Sequence, residues 1–311
     1  MLEHVSNARD GIVAASTINP DANGHRANML DTIADHCHAR WQHRARGHGK
    51  HLSGLLALGG AAVHRRTFIF AHHRNYRTLA MNVDAAWLVV LAVAPGIVIA
   101  GVVWWLDRFD REPHDLVIGC FLWGAVIIVP VAVIEIGLGA LVPLNRSVFG
   151  SAVLSAFGIV AFTEEAAKYL VARLYVYPRS DFDEPYDGIT YCVMVGMGFA
   201  TLENLLYVFS AESEPVGLAL VRMVTAVPAH AANGVLMGYF LGSAKFASRR
   251  WGYHLAALAS AVTAHGLYDV FLFYENPGLI TLGALVVLGI ATWLSIRAIK
   301  QHLQASPFRE Q

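Results

Sequence analysis

From residue 85 onward the chain is a succession of seven apolar blocks of about 20 residues or more, and that recurrence leaves few folds open. They run Ala85–Leu106, Leu116–Leu144, Ser151–Arg173, Gly188–Ser210, Val216–Phe246, Trp251–Tyr274 and Gly278–Ile299. At 1.5 Å rise per residue, a helix of ~20 residues crosses a ~30 Å hydrocarbon layer. The short connectors DRFDREPHD, YPRSDFDEPYD, AESEP, ASRRWG and ENPG carry the turn residues and charges expected at a membrane surface. Apolar residues make up 56% of the chain and charged ones 15%, too few charges for the shell of a water-soluble protein of 311 residues. The predicted fold class is therefore all-α, a polytopic membrane protein built as a bundle of about seven transmembrane helices in the cell membrane. Disordered, collagenous and coiled-coil classes are excluded. Cys37, Cys120 and Cys192 show no paired spacing and imply neither a disulfide framework nor a cysteine metal site.

A zero formal net charge hides a division near residue 80. The first 80 residues hold ten Lys/Arg, five Asp/Glu and ten of the fifteen His, whereas the rest holds thirteen Lys/Arg and eighteen Asp/Glu. Three segments are expected: a basic, His-rich head over 1–80, a transmembrane body over 81–300, and a short cytoplasmic tail over 301–311. With seven spans, one face collects Arg108, Arg111, Arg173, Arg179, Lys245, Arg249, Arg250, Arg297, Lys300 and Arg309, and the other little besides Arg146 and Arg222. The richer face is expected to be cytoplasmic, with the C-terminus on it. Arg65, Arg66, Arg74 and Arg77 would then lie on the outer side, against that rule. A chain beginning at or near Met81 removes the conflict. The alternatives are a disordered cytoplasmic tail with an eighth interfacial element, or a zinc-binding His tract. Peptide mapping of natively expressed protein separates these, since abundant peptides from 1–80 would exclude a start at Met81.

Charged and imidazole side chains inside the blocks carry most of the functional information, because each costs at least ~2.5–3.5 kcal/mol near the bilayer centre. The third block holds Glu164, Glu165 and Lys168; the fourth Glu203 and Asn204; the fifth His230; the sixth His265 and Asp269. Measured along their spans they fall in one layer, so four helices bring proton-active groups to a common depth. His265 and Asp269 are four apart on one helix face, so Asp269 can hold one imidazole nitrogen and leave the other for chemistry. Glu164 and Lys168 share that spacing, leaving Lys168 either to neutralise Glu164 or to reach for the surface. Glu165, turned by about 100°, faces a different neighbour. Taken singly, each residue has an ordinary reading as a packed hydrogen-bonding partner, and Glu135 is read that way. Gly196, Gly198, Gly234 and Gly238 are read as points of close helix approach.

In order along the chain, EEAAK at Glu164–Lys168, FATLEN at Phe199–Asn204, His230 with Gly238, and HGLYD at His265–Asp269 resemble the motifs of the PrsW family of intramembrane proteases. That family lies within the wider group that includes the CAAX prenyl endopeptidases. DRFDREP at Asp107–Pro113 and YDGITY at Tyr186–Tyr191 are similar to the family as well, and the likeness spans about residues 90–295. It implies hydrolysis of a peptide bond in or near the membrane segment of a membrane-anchored protein, such as an anti-sigma factor already trimmed by another protease. The partners it implies are that substrate and the lipid bilayer, with no nucleic acid. Its catalytic residues would be Glu164, Glu165, Glu203, Asn204, His230 and His265, supported by Lys168 and Asp269. Two schemes stay open. In the metal-free one, Glu164 assisted by His230 activates water, Asn204 and His265 stabilise the oxyanion, and Glu165 and Glu203 order the network. In the other, a Zn2+ is held by His230, His265 and either Glu203 or Glu164. The rival function is a proton-coupled transporter, whose relay would spread these groups along the membrane normal.

Overall fold

The computed structural model of the chain describes residues 85–142, 144–145, 147–274 and 277–309. The head over 1–80 and the question of a start at Met81 lie outside the described residues. Among the described residues the fold is all helical, with seven stretches long and apolar enough to cross a membrane. The chain is a multi-pass membrane protein. Its helices are α1 (Ala85–Leu106), α2 (His114–Val126), α3 (Ile128–Leu141), α4 (Phe149–Val153), α5 (Phe162–Val171), α6 (Pro185–Phe209), α7 (Pro215–Val224), α8 (Ala226–Phe246), α9 (Arg250–Phe273) and α10 (Pro277–Ala305). The last helix continues beyond the expected end at Ile299, into the segment read as a tail.

Two blocks read as single helices are each broken once, and proline accounts for both breaks. Pro130 has no N–H to offer Val126, and the helix is interrupted at Ile127. Pro228 likewise leaves the Val224 carbonyl without its helical donor. The break falls at Thr225, whose hydroxyl donates back to Val221 O at 2.7 Å. In the third span, π-helical turns at Leu154–Ala161 and Ala172–Val176 flank α5 on either side. Such wide turns are uncommon and rotate the side chains that follow them.

Helix α6 is the axis of the bundle. Every residue from Tyr186 to Thr201 is buried, while α1, α2 and α3 turn Trp105, Leu122 and Val133 outward as lipid-facing surface. Burial of such a helix requires neighbours at close range. A Cβ on Gly198 would stand 1.8 Å from Phe121 O of α2, and one on Gly238 of α8 would stand 2.2 Å from Gly188 O of α6. Gly234 and Gly196 sit at the same α6–α8 seam, as the small-residue reading expected. The N-terminal end of α6 is set by Pro185 in the first turn and by Asp187, whose Oδ2 accepts the Asp183 and Glu184 N–H groups at 2.7 and 2.8 Å.

Candidate active site

Three buried residues of α5 start the site. Glu164, Glu165 and Lys168 lie within one turn, and the Lys168 ammonium donates to Glu164 Oε2 at 3.1 Å and Glu165 Oε1 at 2.8 Å. Lys168 therefore stays inside, and the surface-seeking alternative falls away. Its third contact is His230 Nδ1 at 3.2 Å, and the ammonium rests 4.1 Å above the Phe199 ring. An ammonium has only donors, so this geometry makes Nδ1 of His230 the acceptor and Nε2 the protonated nitrogen. Nε2–H of His230 donates to Glu203 Oε2 at 2.9 Å.

From α9, His265 Nδ1 donates to Glu165 Oε1 at 2.8 Å and stands 4.0 Å from Glu164 Oε2. The other nitrogen of His265 faces Asp269 Oδ2 at 3.5 Å, so both ring nitrogens are engaged rather than one left open. The two imidazoles meet edge to face with centroids 5.4 Å apart. Ligand atoms of Glu164, Glu165, His230 and His265 all lie within 4.8 Å of one another, and none of these residues is more than 6% exposed.

Glu203 and Asn204 stand outside this group of four. Asn204 donates through Nδ2 to Ala92 O of α1 at 3.0 Å and accepts Arg222 Nε through Oδ1 at 2.7 Å. The Asn204 amide is thus held by α1 and α7, away from the group of four. Arg222 was read only as an outer-face charge. It bonds Glu203 Oε2 at 2.8 Å and lies 4.0 Å from the Tyr207 ring centroid. The break at Thr225 makes this possible, because it lets α7 aim Arg222 and α8 aim His230 at the same Glu203 oxygen. Glu135 Oε1 lies 3.3 Å from Thr163 Oγ1, whose hydroxyl has the Ile159 carbonyl as its nearer acceptor.

The donor set suits a metal ion as well as a metal-free site. Two imidazoles and two carboxylates are available, and Glu165 Oε2 is buried without a hydrogen-bond partner. With neutral imidazoles, the three carboxylates of Glu164, Glu165 and Glu203 pair with two cations, Lys168 and Arg222, leaving a formal deficit of one charge. Of the two carboxylates considered as third ligand, Glu164 belongs to the group and Glu203 does not.

Fold and site together define a polytopic membrane protein whose buried carboxylates and imidazoles converge between helices. Comparison with known proteins narrows this class. The sequence model described as "PrsW family intramembrane metalloprotease" matches residues 112–296, and the chain belongs to that family. It is similar to Protease PrsW of Geobacillus kaustophilus, at 34% identity over 215 residues covering 69% of this chain and 91% of the relative. With Protease PrsW of Bacillus subtilis it shares 35% identity over 187 residues, 60% of this chain and 82% of the relative. The Clostridioides difficile protein of the same name is 32% identical over 228 residues, 70% and 92% of the two chains. No solved structure matches. The chain is thus a hydrolase, an intramembrane protease acting on protein substrates, and the transporter reading is set aside.

Proposed function

We propose that Glu164, Glu165, His230 and His265 are the hydrolytic centre and that the substrate is a membrane-anchored protein, cut in or near its membrane segment. A regulator such as an anti-sigma factor has the required form. The observation that carries this reading is the meeting of four buried proton-active side chains from three helices within 4.8 Å. A relay along the membrane normal would have spaced them apart.

In the reaction, Glu164 takes a proton from a water that adds to the scissile carbonyl carbon, and delivers it to the amide nitrogen as the C–N bond breaks. Lys168 holds Glu164 and Glu165 in place and keeps the His230 lone pair directed inward. His265, its Nδ1–H held by Glu165, turns its other N–H from the 3.5 Å contact with Asp269 toward the developing oxyanion. Arg222 and Asn204 position Glu203, which fixes the His230 tautomer. A Zn2+ would be held by His230, His265 and Glu164 or Glu165, and when bound would polarise the scissile carbonyl as a Lewis acid. Exclusion of bulk water by the surrounding helices strengthens each of these interactions. We place the Arg-rich helix ends and the C-terminus in the cytoplasm. Support comes from the packing of those ends on one face, where the Lys245 ammonium binds the Tyr177 and Arg179 carbonyls at 2.6 and 3.1 Å.

Reconstitution with a candidate single-span substrate tests this reading. Glu164→Gln and His230→Ala are expected to lower cleavage on the order of 10²–10⁴-fold. Undiminished cleavage in both would remove the assignment, and chelator sensitivity in the same assay separates the metal scheme from the metal-free one.

A further inference from the structure

Two motifs, DRFDREP and YDGITY, take no part in the site above, yet the fold joins them. The connector after α1 turns back on itself before Pro113 opens α2, and this brings Asp107 and Glu112 against the first turns of α6. Carboxylate oxygens of Asp107, Glu112 and Asp187 lie within 4.8 Å of one another, with the three residues 0, 4 and 1% exposed. Among the described residues, no Lys, Arg or His stands within ion-pairing distance of any of them. Lys245 acts on Asp187 only at longer range, and its ammonium is bonded to two backbone carbonyls.

The hydrogen bonds around the three show a division of labour. Asp107 Oδ2 accepts the Thr190 hydroxyl at 3.1 Å, Asp187 Oδ2 accepts two backbone N–H groups, and Glu112 Oε2 accepts the Tyr191 hydroxyl. Asp107 Oδ1 and Asp187 Oδ1 are buried with no N–H or hydroxyl donor, and the Asp187 carboxyl lies against that of Glu112. One oxygen is thus oriented by a donor while the other receives none, which is how carboxylate ligands are held by their surroundings. An all-oxygen, carboxylate-rich donor set suits hard cations such as Ca2+, Mn2+ and Mg2+ rather than zinc. Ligands about 2.4 Å from a common centre are at most ~4.8 Å apart, so the cluster leaves room for a calcium-sized ion.

We propose that Asp107, Glu112 and Asp187 form a second site, separate from the hydrolytic centre, that binds a hard divalent cation and pins the α1–α2 connector to the N-terminal end of α6. The rival occupant is a pair of protons shared among the carboxyl groups. The test uses the purified full-length chain in detergent, freed of metal with a chelator and titrated with Ca2+, Mn2+ or Mg2+ alone. Thermal unfolding and tyrosine-sensitised Tb3+ luminescence, through Tyr186 and Tyr191, are the readouts. A saturable rise in Tm and a Tb3+ signal displaced by Ca2+ are expected for the wild type and equally for Glu164→Gln. Asp107→Asn and Glu112→Gln, which keep shape and remove charge, should weaken the apparent affinity at least tenfold. The absence of saturation up to about 10 mM, above the weak end of natural calcium sites, overturns the proposal. So does unaltered affinity in Asp107→Asn, or loss of the response in Glu164→Gln. Should neither amide variant fold, the wild-type Tb3+ signal and its competition by Ca2+ decide alone.

Discussion

Replacing Gly238 by alanine puts a single methyl group where α6 and α8 touch. The new Cβ would lie 2.2 Å from Gly188 O and 2.6 Å from Gly188 C and Ile189 Cα, all backbone atoms that cannot swing aside. Ordinary contact begins near 3.4 Å, so the helices must part by about 1.2 Å at this level. Overpacking of this kind costs ~1–3 kcal/mol. His230 lies two turns back along α8, and its Nε2 meets Glu203 of α6 at 2.9 Å. A parallel displacement stretches that contact to about 4.1 Å, beyond hydrogen-bonding range, and releases the tautomer of His230. The expected result is a lower Tm together with a loss of substrate cleavage in reconstituted membranes. Gly137→Ala and Gly139→Ala are the controls, since nothing lies within 4 Å of a Cβ at either position. They should leave cleavage unchanged and Tm unchanged or raised, as alanine is the better helix former. Wild-type Tm and turnover in Gly238→Ala, or equal damage in the controls, would refute the claim that the α6–α8 seam sets the site.

Other substitutions probe the charges and the helix break. Arg222→Met strips Glu203 and Asn204 of their shared partner and should cost about 3–5 kcal/mol in thermal unfolding, as removal of one member of a buried pair does. Lys168→Met should be at least as harmful, with Glu165→Gln recovering part of the loss; a double-mutant cycle on Tm measures the coupling. Asn204→Ala should lower stability by ~1–3 kcal/mol through its lost bonds to Ala92 and Arg222, yet retain more cleavage than Glu164→Gln. Pro228→Ala restores an N–H to the Val224 carbonyl and should straighten α7 into α8. Cleavage falls while stability holds or rises, and an unchanged rate would show that the break at Thr225 is dispensable.

The spans were legible because lipid imposes one length on every crossing helix, and the blocks at Ala85–Leu106 and Val216–Phe246 end where or close to where the helices do. Prolines 130 and 228 marked the interruptions, but apolarity runs through them and hides the break in any count of hydropathy. Glu164, Glu165, His230 and His265 announced themselves as costly groups at one depth. Arg222 did not, since a basic residue near the end of a block has a sufficient explanation in topology. Asn204 illustrates a further limit: its type says nothing of its neighbours, and only the fold shows that it bonds Ala92 and Arg222. The carboxylates of the second cluster sit in motifs whose members Glu112 and Tyr191 are 79 residues apart, and no spacing rule within one helix could have joined them.

The pairing of charges also bears on how such a chain enters a membrane. Glu164 and Glu165 find their counter-ion, Lys168, within the same helix, at positions i+4 and i+3, so the third span carries its own neutralising group from the moment it leaves the ribosome. Glu203 waits only for Arg222 in the next span, and His265 has Asp269 one turn away. Each polar group thus has a nearby partner during synthesis, and the penalty of ~2.5–3.5 kcal/mol per charge is lessened locally before the bundle closes. The contacts that cross between distant spans, His230 with Lys168 and His265 with Glu165, need those spans side by side, so the network of the candidate site is complete only with the sixth span in place.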